Sequence, residues 1–192
     1  MTFAPSRRPA LPGDGLSVHH TSVDDPLVRP MLDELAREYR GRYGSDHDLH
    51  RYPAAEFAPP EGEFLLLLEN GEAVAGGAYR RHSPLTAELK RIWTHSEHRR
   101  RGLARRVLLA LEQSAVAAGY QRLYLTTGPR QPEAKGLYLA SGYRPLFDLS
   151  VDPETIGPLP FEKDLPPAPD GPNDGPPVPP GTPRHDLETR TS

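Results

Sequence analysis

The sequence predicts a single α/β domain with a mixed sheet and flanking helices, and three observations carry that prediction. An Asn70-Gly71 pair separates two β-like runs, an amphipathic pattern over residues 101–118 stops at Gly119, and strand and helix patterns alternate from about Leu16 to Leu165. At 192 residues the chain suits one domain rather than two, since compact domains hold roughly 100 to 200 residues. Residues 1–15 read as a flexible N-terminus and 16–165 as the domain. Residues 166–192 read as a Pro-rich disordered tail, because 166–183 hold nine prolines and three glycines with almost no apolar content to offset the entropy of ordering.

The elements follow in order. A short strand is expected near Leu16–Val23, then a helix near Pro26–Arg40, where Leu27, Met31, Leu35 and Tyr39 recur every four residues. Gly41 and Gly44 are expected to end it, with a polar loop following to about Glu61. Phe64–Glu69, Asn70-Gly71 and Ala73–Arg81 form a hairpin pattern, because Asn-Gly supplies the positive φ angles of a two-residue turn. A strand over Thr86–His95 leads into a helix over Arg101–Ala118. Its Leu103, Ala104, Val107, Leu108, Leu111 and Ala115 share one face, so that face packs on a sheet. A strand (Arg122–Thr126), a short helix (Pro132–Ala140) and two strands (Tyr143–Val151 and Leu159–Lys163) complete the domain.

Composition removes several function classes. A formal charge of −3 gives no global attraction to nucleic acid or to an anionic membrane. With no cysteine there is no disulfide, thiolate metal site or catalytic thiol to carry a covalent acyl group. The longest apolar run, Phe64–Leu68, is far too short to span a bilayer, and the first fifteen residues lack a signal-peptide core, so the protein reads as cytoplasmic. The segment Asp46-His47-Asp48-Leu49-His50 has a spacing superficially like a metal site, but no ligand cluster elsewhere supports it, and no metal is expected.

The most informative segment is Arg99-Arg100-Arg101-Gly102-Leu103-Ala104, with Arg105 behind it. A strand running into a Gly-containing turn that opens a helix aims several backbone N–H groups at one spot, where the helix dipole favours a phosphate. The arginines add charge-assisted donors suited to a pyrophosphate. A solvated basic helix start and a nucleic-acid contact remain open on the turn alone, although the acidic balance and lack of interleaved aromatics weigh against the latter. The glycine and Gly-Lys-Ser/Thr pattern of a nucleotide-hydrolysing P-loop is absent.

In its context the turn resembles the cofactor motif of the GNAT superfamily of acetyl-CoA-dependent N-acetyltransferases, Gln/Arg-x-x-Gly-x-Gly/Ala, here Arg99-x-x-Gly102-x-Ala104. Residues 127–143, with Gln131, Ala134, Leu137, Tyr138, Gly142 and Tyr143, resemble the superfamily's second signature, with Gln131 where Asn is usual. The resemblance implies a GNAT fold: a mixed central sheet of six or seven strands, splayed at the cofactor site and flanked by about four helices. It also implies acetyl-CoA as co-substrate. Backbone groups of Ile92, Trp93 and Thr94 would pair with the pantetheine arm, Arg99–Arg105 would hold the pyrophosphate, and Gln131 would reach the cofactor. GNAT domains often pair, so the resemblance allows a homodimer.

Acetyl transfer needs a neutral amine, yet an alkyl amine is deprotonated only about once per thousand molecules at neutral pH, so a base is useful. Glu88, 14 residues before Gly102, resembles in type and spacing the general-base glutamate of the histone acetyltransferase branch. Pairing with Lys90 or a cross-strand arginine is its structural alternative. Tyr138 stands where superfamily members place a tyrosine near the CoA sulfur, where it could protonate the departing thiolate; packing in the core is its alternative. For the acceptor, Arg80, Arg81 and Arg91 could grip a carboxylate, and Tyr39 and Tyr43 could wall the acceptor side. The expected function is therefore direct transfer to the amine of a small molecule in a ternary complex. A protein lysine or N-terminal acetyltransferase and a silent acyl-CoA-binding module are the alternatives.

Overall fold

A computed structural model describes residues 15–167. The expected flexible N-terminus and Pro-rich tail lie almost wholly on residues 1–14 and 168–192, outside the described residues. In chain order the elements are β1 (Leu16–Thr21), α1 (Arg29–Tyr43), α2 (His47–His50), β2 (Glu63–Glu69), β3 (Glu72–Ser83), β4 (Thr86–Thr94), α3 (Leu103–Ala117), β5 (Arg122–Thr127), α4 (Pro132–Ala140), β6 (Arg144–Pro145), α5 (Pro153–Ile156) and β7 (Leu159–Asp164). The seven strands form one sheet in the order β1-β2-β3-β4-β5-β7-β6. Every pairing is antiparallel except β4 with β5, which is parallel.

The apolar run of β2 is a strand buried on both faces. Leu65 and Leu67 join the core under α3, and Phe64 and Leu66 join the core under α1. The Asn70-Gly71 turn has positive φ at both residues, 53° and 87°, as the hairpin pattern requires. On one face α3 inserts Leu103, Val107, Leu108, Leu111 and Ala115 against the sheet, and Tyr138, Leu159 and Phe161 close the same core. On the other face Met31 and Leu35 of α1 meet Leu49, Phe57, Ala78 and Trp93. Because Leu111 is fully buried at the centre of the α3 contact, Leu111→Ala is expected to cost about 2–5 kcal/mol. Denaturant unfolding measures this, and a loss below about 1 kcal/mol would mean that α3 is not packed as described.

Three sequence expectations are corrected. The first helix does not stop at Gly41. A 3-10 turn over Pro26–Val28 precedes α1, which runs to Tyr43 and ends at Gly44 in the left-handed conformation (φ 76°). Gly41 costs the helix roughly 1 kcal/mol, which tertiary contacts of Arg42 and Tyr43 offset. The loop after α1 is not merely polar, since α2 and a 3-10 turn over Ala54–Phe57 deliver Leu49 and Phe57 to the core. The strand expected over Tyr143–Val151 shrinks to Arg144–Pro145. Pro145 has no N–H for a ladder, and Asp148 bends the chain by accepting the Ser150 N–H and hydroxyl at 2.9 and 2.7 Å.

The site is positioned by the sheet parting between β4 and β5. The two strands pair only at Thr86↔Arg122, Ala87↔Leu123 and Glu88↔Tyr124. Beyond Glu88, β4 continues to Thr94 and β5 to Thr127 as separate edges. A bulge bends β4 away: Gly76 pairs with Trp93 and Ala78 with Lys90, so Gly77 faces both Arg91 and Ile92, and Arg91 takes a left-handed φ of 59°.

Candidate active site

The open end of the parted strands is capped by the turn before α3. After a 3-10 turn over Ser96–His98, Arg99 is extended, Arg100 has φ 60° and Gly102, the N-cap of α3, has φ 75°. Glycine suits that left-handed position, where a side chain would be strained. The first helical bond runs from the Arg106 N–H to the Gly102 carbonyl at 3.2 Å. The N–H groups of Leu103, Ala104 and Arg105 therefore point out of the helix end, where the dipole favours an anion. Arg100 and Arg105 are exposed, and neither side chain has an ion-pair partner among the described residues. Arg101 turns away: it grips both carboxylate oxygens of Glu69, at 2.7 and 3.0 Å, and contacts His98 Nδ1 at 2.6 Å. Those bonds hold the Glu69 carboxyl below its usual range. Arg99 reaches Glu38 of α1 at 3.7 Å. Arg99 and Arg101 thus have protein anions to satisfy, which Arg100 and Arg105 do not.

Along β4, Trp93 and Thr94 pair with Gly76 and Ala75 of β3, while no ladder forms toward β5 beyond Glu88. Among the described residues, backbone groups of Ile92–Thr94 on that edge have no strand partner, and the Thr94 hydroxyl is buried with no hydrogen-bond partner. Such orphaned groups are what a bound polar chain would satisfy. Trp93 Nε1 donates to Glu34 Oε2 at 2.9 Å and the Ser96 hydroxyl to Glu34 Oε1 at 2.8 Å. Glu34 thereby pins α1 over the strand exit.

Glu88 marks the vertex of the parting, and is only 4 % exposed. Arg80, opposite it on β3, donates Nε to Oε2 at 2.9 Å, and Lys90 Nζ lies 2.7 Å from Oε1. Both pairings named as its structural alternative are therefore present. Arg80 also bonds Glu56 at 2.8 Å and lies 3.9 Å over the Tyr52 ring, with Lys90 5.1 Å from that ring. Tyr124, paired with Glu88 across the vertex, stacks on His82 at 4.9 Å; burial and then the Glu88 charge push its phenol pKa up.

Tyr138, on α4, is 7 % exposed and packs edge-on against Tyr143 and at a tilt against Phe161, both at 5.7 Å. Its hydroxyl has no hydrogen-bond partner among the described residues. Burial raises its pKa well above the usual phenol value, with a further rise from Tyr39. Tyr39 is itself pushed up to about 12 by burial, then by Glu38 and Asp48. Tyr43 lies further out, its hydroxyl accepting the Arg130 N–H at 3.3 Å and filling the space where Gly128 has no Cβ.

Gln131 is spent on protein contacts. It stands at the N-cap of α4, accepts from Gly128 N–H at 3.0 Å and the Thr127 hydroxyl at 3.2 Å, and donates to Glu38 at 3.1 Å. Glu38 also bonds Arg42 at 3.3 Å, and Arg42 bonds Glu133. Sequence reasoning missed this junction of α1, the Arg turn and α4. Its one local signal is the Glu38–Arg42 spacing on a helix face. It also missed Tyr52, Glu56, His82 and Tyr124, of which only Tyr124 was legible, as an outward position of a strand.

Of the three arginines considered for an acceptor carboxylate, Arg80 is held by Glu56 and Glu88, and Arg81 by Glu61. Arg91 has no carboxylate partner among the described residues. Among the described residues no group of three or more His, Cys, Asp or Glu is gathered for a metal ion, and no helix is long and apolar enough to cross a membrane.

With this geometry in place, comparison with known proteins is specific. The acetyltransferase (GNAT) family model matches residues 28–143. The chain is 29% identical over 145 residues to the uncharacterized N-acetyltransferase YsnE of Bacillus subtilis (strain 168), covering 71% of this chain and 95% of that protein. An acetyltransferase structure from Streptococcus agalactiae 2603 superposes with a TM-score of 0.63 at 19% identity, covering 79% of this chain and 99% of the other. A GNAT family acetyltransferase from Elizabethkingia anophelis with acetyl-CoA bound gives 0.58 at 16% identity, covering 80% and 100%. The last two likenesses show the fold.

Proposed function

Since the chain belongs to the acetyltransferase (GNAT) family, which acts with acyl-CoA, we propose that it moves an acetyl group from acetyl-CoA directly to the amine of a small molecule. The observation that carries this reading is the parting of β4 from β5 beyond Glu88, with the N-terminus of α3 at its open end. That arrangement suits a ligand that is a polar chain along its length and a pyrophosphate at one end.

The N–H groups of Leu103, Ala104 and Arg105, with the side chains of Arg100 and Arg105, bind the pyrophosphate. Gly102 lets the backbone approach it closely. Arg99 and Arg101 shape the turn through Glu38 and Glu69 and contribute positive potential. Ile92–Thr94 hold the arm by backbone pairing and aim N–H groups at the acetyl carbonyl, where negative charge develops during transfer. Gln131 fixes the start of α4 in place of a direct cofactor contact.

In the reaction the acceptor nitrogen forms a bond to the acetyl carbon as the carbon–sulfur bond breaks. Glu88 takes the proton the amine must lose, directly or through a water, and Tyr138 gives a proton to the departing thiolate. Burial keeps the Tyr138 phenol protonated but makes it a weaker acid, so its proton moves only as negative charge develops on the departing sulfur. With no cysteine in the chain, the acetyl group passes within a ternary complex.

The test is free-CoA release with acetyl-CoA and a panel of small amines, together with peptides carrying a lysine or a free N-terminus. Turnover of small amines with intersecting initial-rate lines is expected. Turnover of peptides alone would move the acceptor class to proteins, parallel lines would contradict direct transfer, and CoA binding with no turnover would leave only a binding module.

A further inference from the structure

Resting on the acetyl-transfer reading, we propose that Arg91 is the anchor for a carboxylate on the acceptor, which makes the substrate class an amino acid or a similar carboxylated amine. Arg91 occupies the β4 bulge, immediately before the Ile92–Thr94 edge. Its side chain enters the α1 face of the sheet, with the guanidinium 4.3 Å from the Phe57 ring and 6.0 Å from the Phe64 ring. NH2 donates to the Leu49 carbonyl at 2.7 Å. NH1 is buried and has no hydrogen-bond partner among the described residues.

A guanidinium always carries its charge and five N–H donors. A buried cation without an anion is costly, as is each of its donors left unmade. The neighbouring cations do not share this condition: Arg80 and Lys90 meet Glu88, Arg80 also meets Glu56, and Arg81 meets Glu61. Arg80, Arg81 and Lys90 are thus each matched by a carboxylate, whereas Arg91 has none among the described residues. Desolvation lowers the Arg91 pKa, and its charge acts on the Tyr39 phenol, which in turn acts on that of Tyr138. The unpaired donor belongs to the β4 residue that immediately precedes the Ile92–Thr94 edge, which this reading assigns to the cofactor arm.

The backbone adds a separate indication. Arg91 holds a left-handed φ of 59° inside a strand, a conformation that costs a non-glycine residue free energy and is kept where the surroundings demand it. The bulge redirects this one side chain, and its second nitrogen has no hydrogen-bond partner among the described residues. A carboxylate on the acceptor supplies the missing anion, and a planar guanidinium edge fits it. Held there, the acceptor's amine is brought toward Glu88 on the same strand.

The experiment compares α-amino acids with their own α-amides, in two readouts: free-CoA release at saturating acetyl-CoA, and calorimetric binding to the CoA-loaded protein. The amide has the less basic amine, so a preference for the acid runs against intrinsic reactivity. The expected preference is about 10- to 100-fold in kcat/KM and in affinity. Arg91→Met should abolish it, chiefly through KM, with acetyl-CoA affinity unchanged. Arg91→Lys, which keeps the charge without the planar fork, should retain part of it. Equal treatment of acids and amides by the wild type, or an unchanged preference in Arg91→Met, would overturn the anchor and leave Arg91 as a brace for Leu49. If no amine releases CoA, the acetyl-transfer reading fails, and binding alone decides the anchor: acids that bind the wild type and not Arg91→Met support it, and acids that bind neither overturn it.

Discussion

Glu88→Gln is expected to lower kcat by roughly 10²- to 10⁴-fold, the range that one positioned acid–base group supplies. The affinity for acetyl-CoA should stay unchanged, because Glu88 stands at the vertex of the parted strands while the turn proposed to hold the pyrophosphate lies beyond their open end. Gln preserves the shape but can neither take the proton nor compensate Arg80 and Lys90, which approach the carboxylate at 2.9 and 2.7 Å. Arg80 keeps Glu56, and Lys90 keeps the Tyr52 ring, so the fold should survive with some loss of stability. The acid limb of the pH–rate profile should move. If kcat falls while the pH profile keeps its shape, Glu88 is a positioning ion pair and the base lies elsewhere.

Tyr138→Phe carries the second large effect, a fall in kcat of about 10²-fold or more. The ring contacts with Tyr143 and Phe161 survive in Phe. The hydroxyl that is lost makes no hydrogen bond among the described residues, so the melting temperature should hold or rise slightly. A catalytic loss without a stability loss separates proton donation from core packing. The defect should also shrink with acyl donors whose thiols are more acidic, since these leave without help. Full turnover by Tyr138→Phe would assign the residue to the core alone.

The sequence made the local parts of this structure legible. Asn70-Gly71 announced the hairpin because its backbone requirement is carried by the two residues themselves. Gly102 announced the turn that opens α3, and the spacing of Leu103, Val107, Leu108 and Leu111 announced which face of α3 is buried. Glu88 with Lys90 was readable as a same-face pair because strand side chains alternate. What stayed hidden depends on chain segments far apart. Whether Arg101 faces a ligand or Glu69 is decided by the end of β2, thirty-two residues away. Glu38 gathers Arg99 and Gln131 only because α1 crosses the gap. The Arg91 bulge is invisible in a run that reads as continuous strand, since a bulge is defined by the partner strand's register. The strand expected after Tyr143 failed because Asp148 and Ser150 offer the backbone a local turn that competes with the ladder.

The most direct measurement is the crystal structure of the protein with acetyl-CoA. The pantetheine arm should lie between β4 and β5 beyond Glu88 and hydrogen-bond the backbone of Ile92–Thr94, with pyrophosphate oxygens about 3 Å from the N–H groups of Leu103, Ala104 and Arg105. Acetyl-CoA bound elsewhere on the surface, with the gap closed and those N–H groups solvated, would contradict the account.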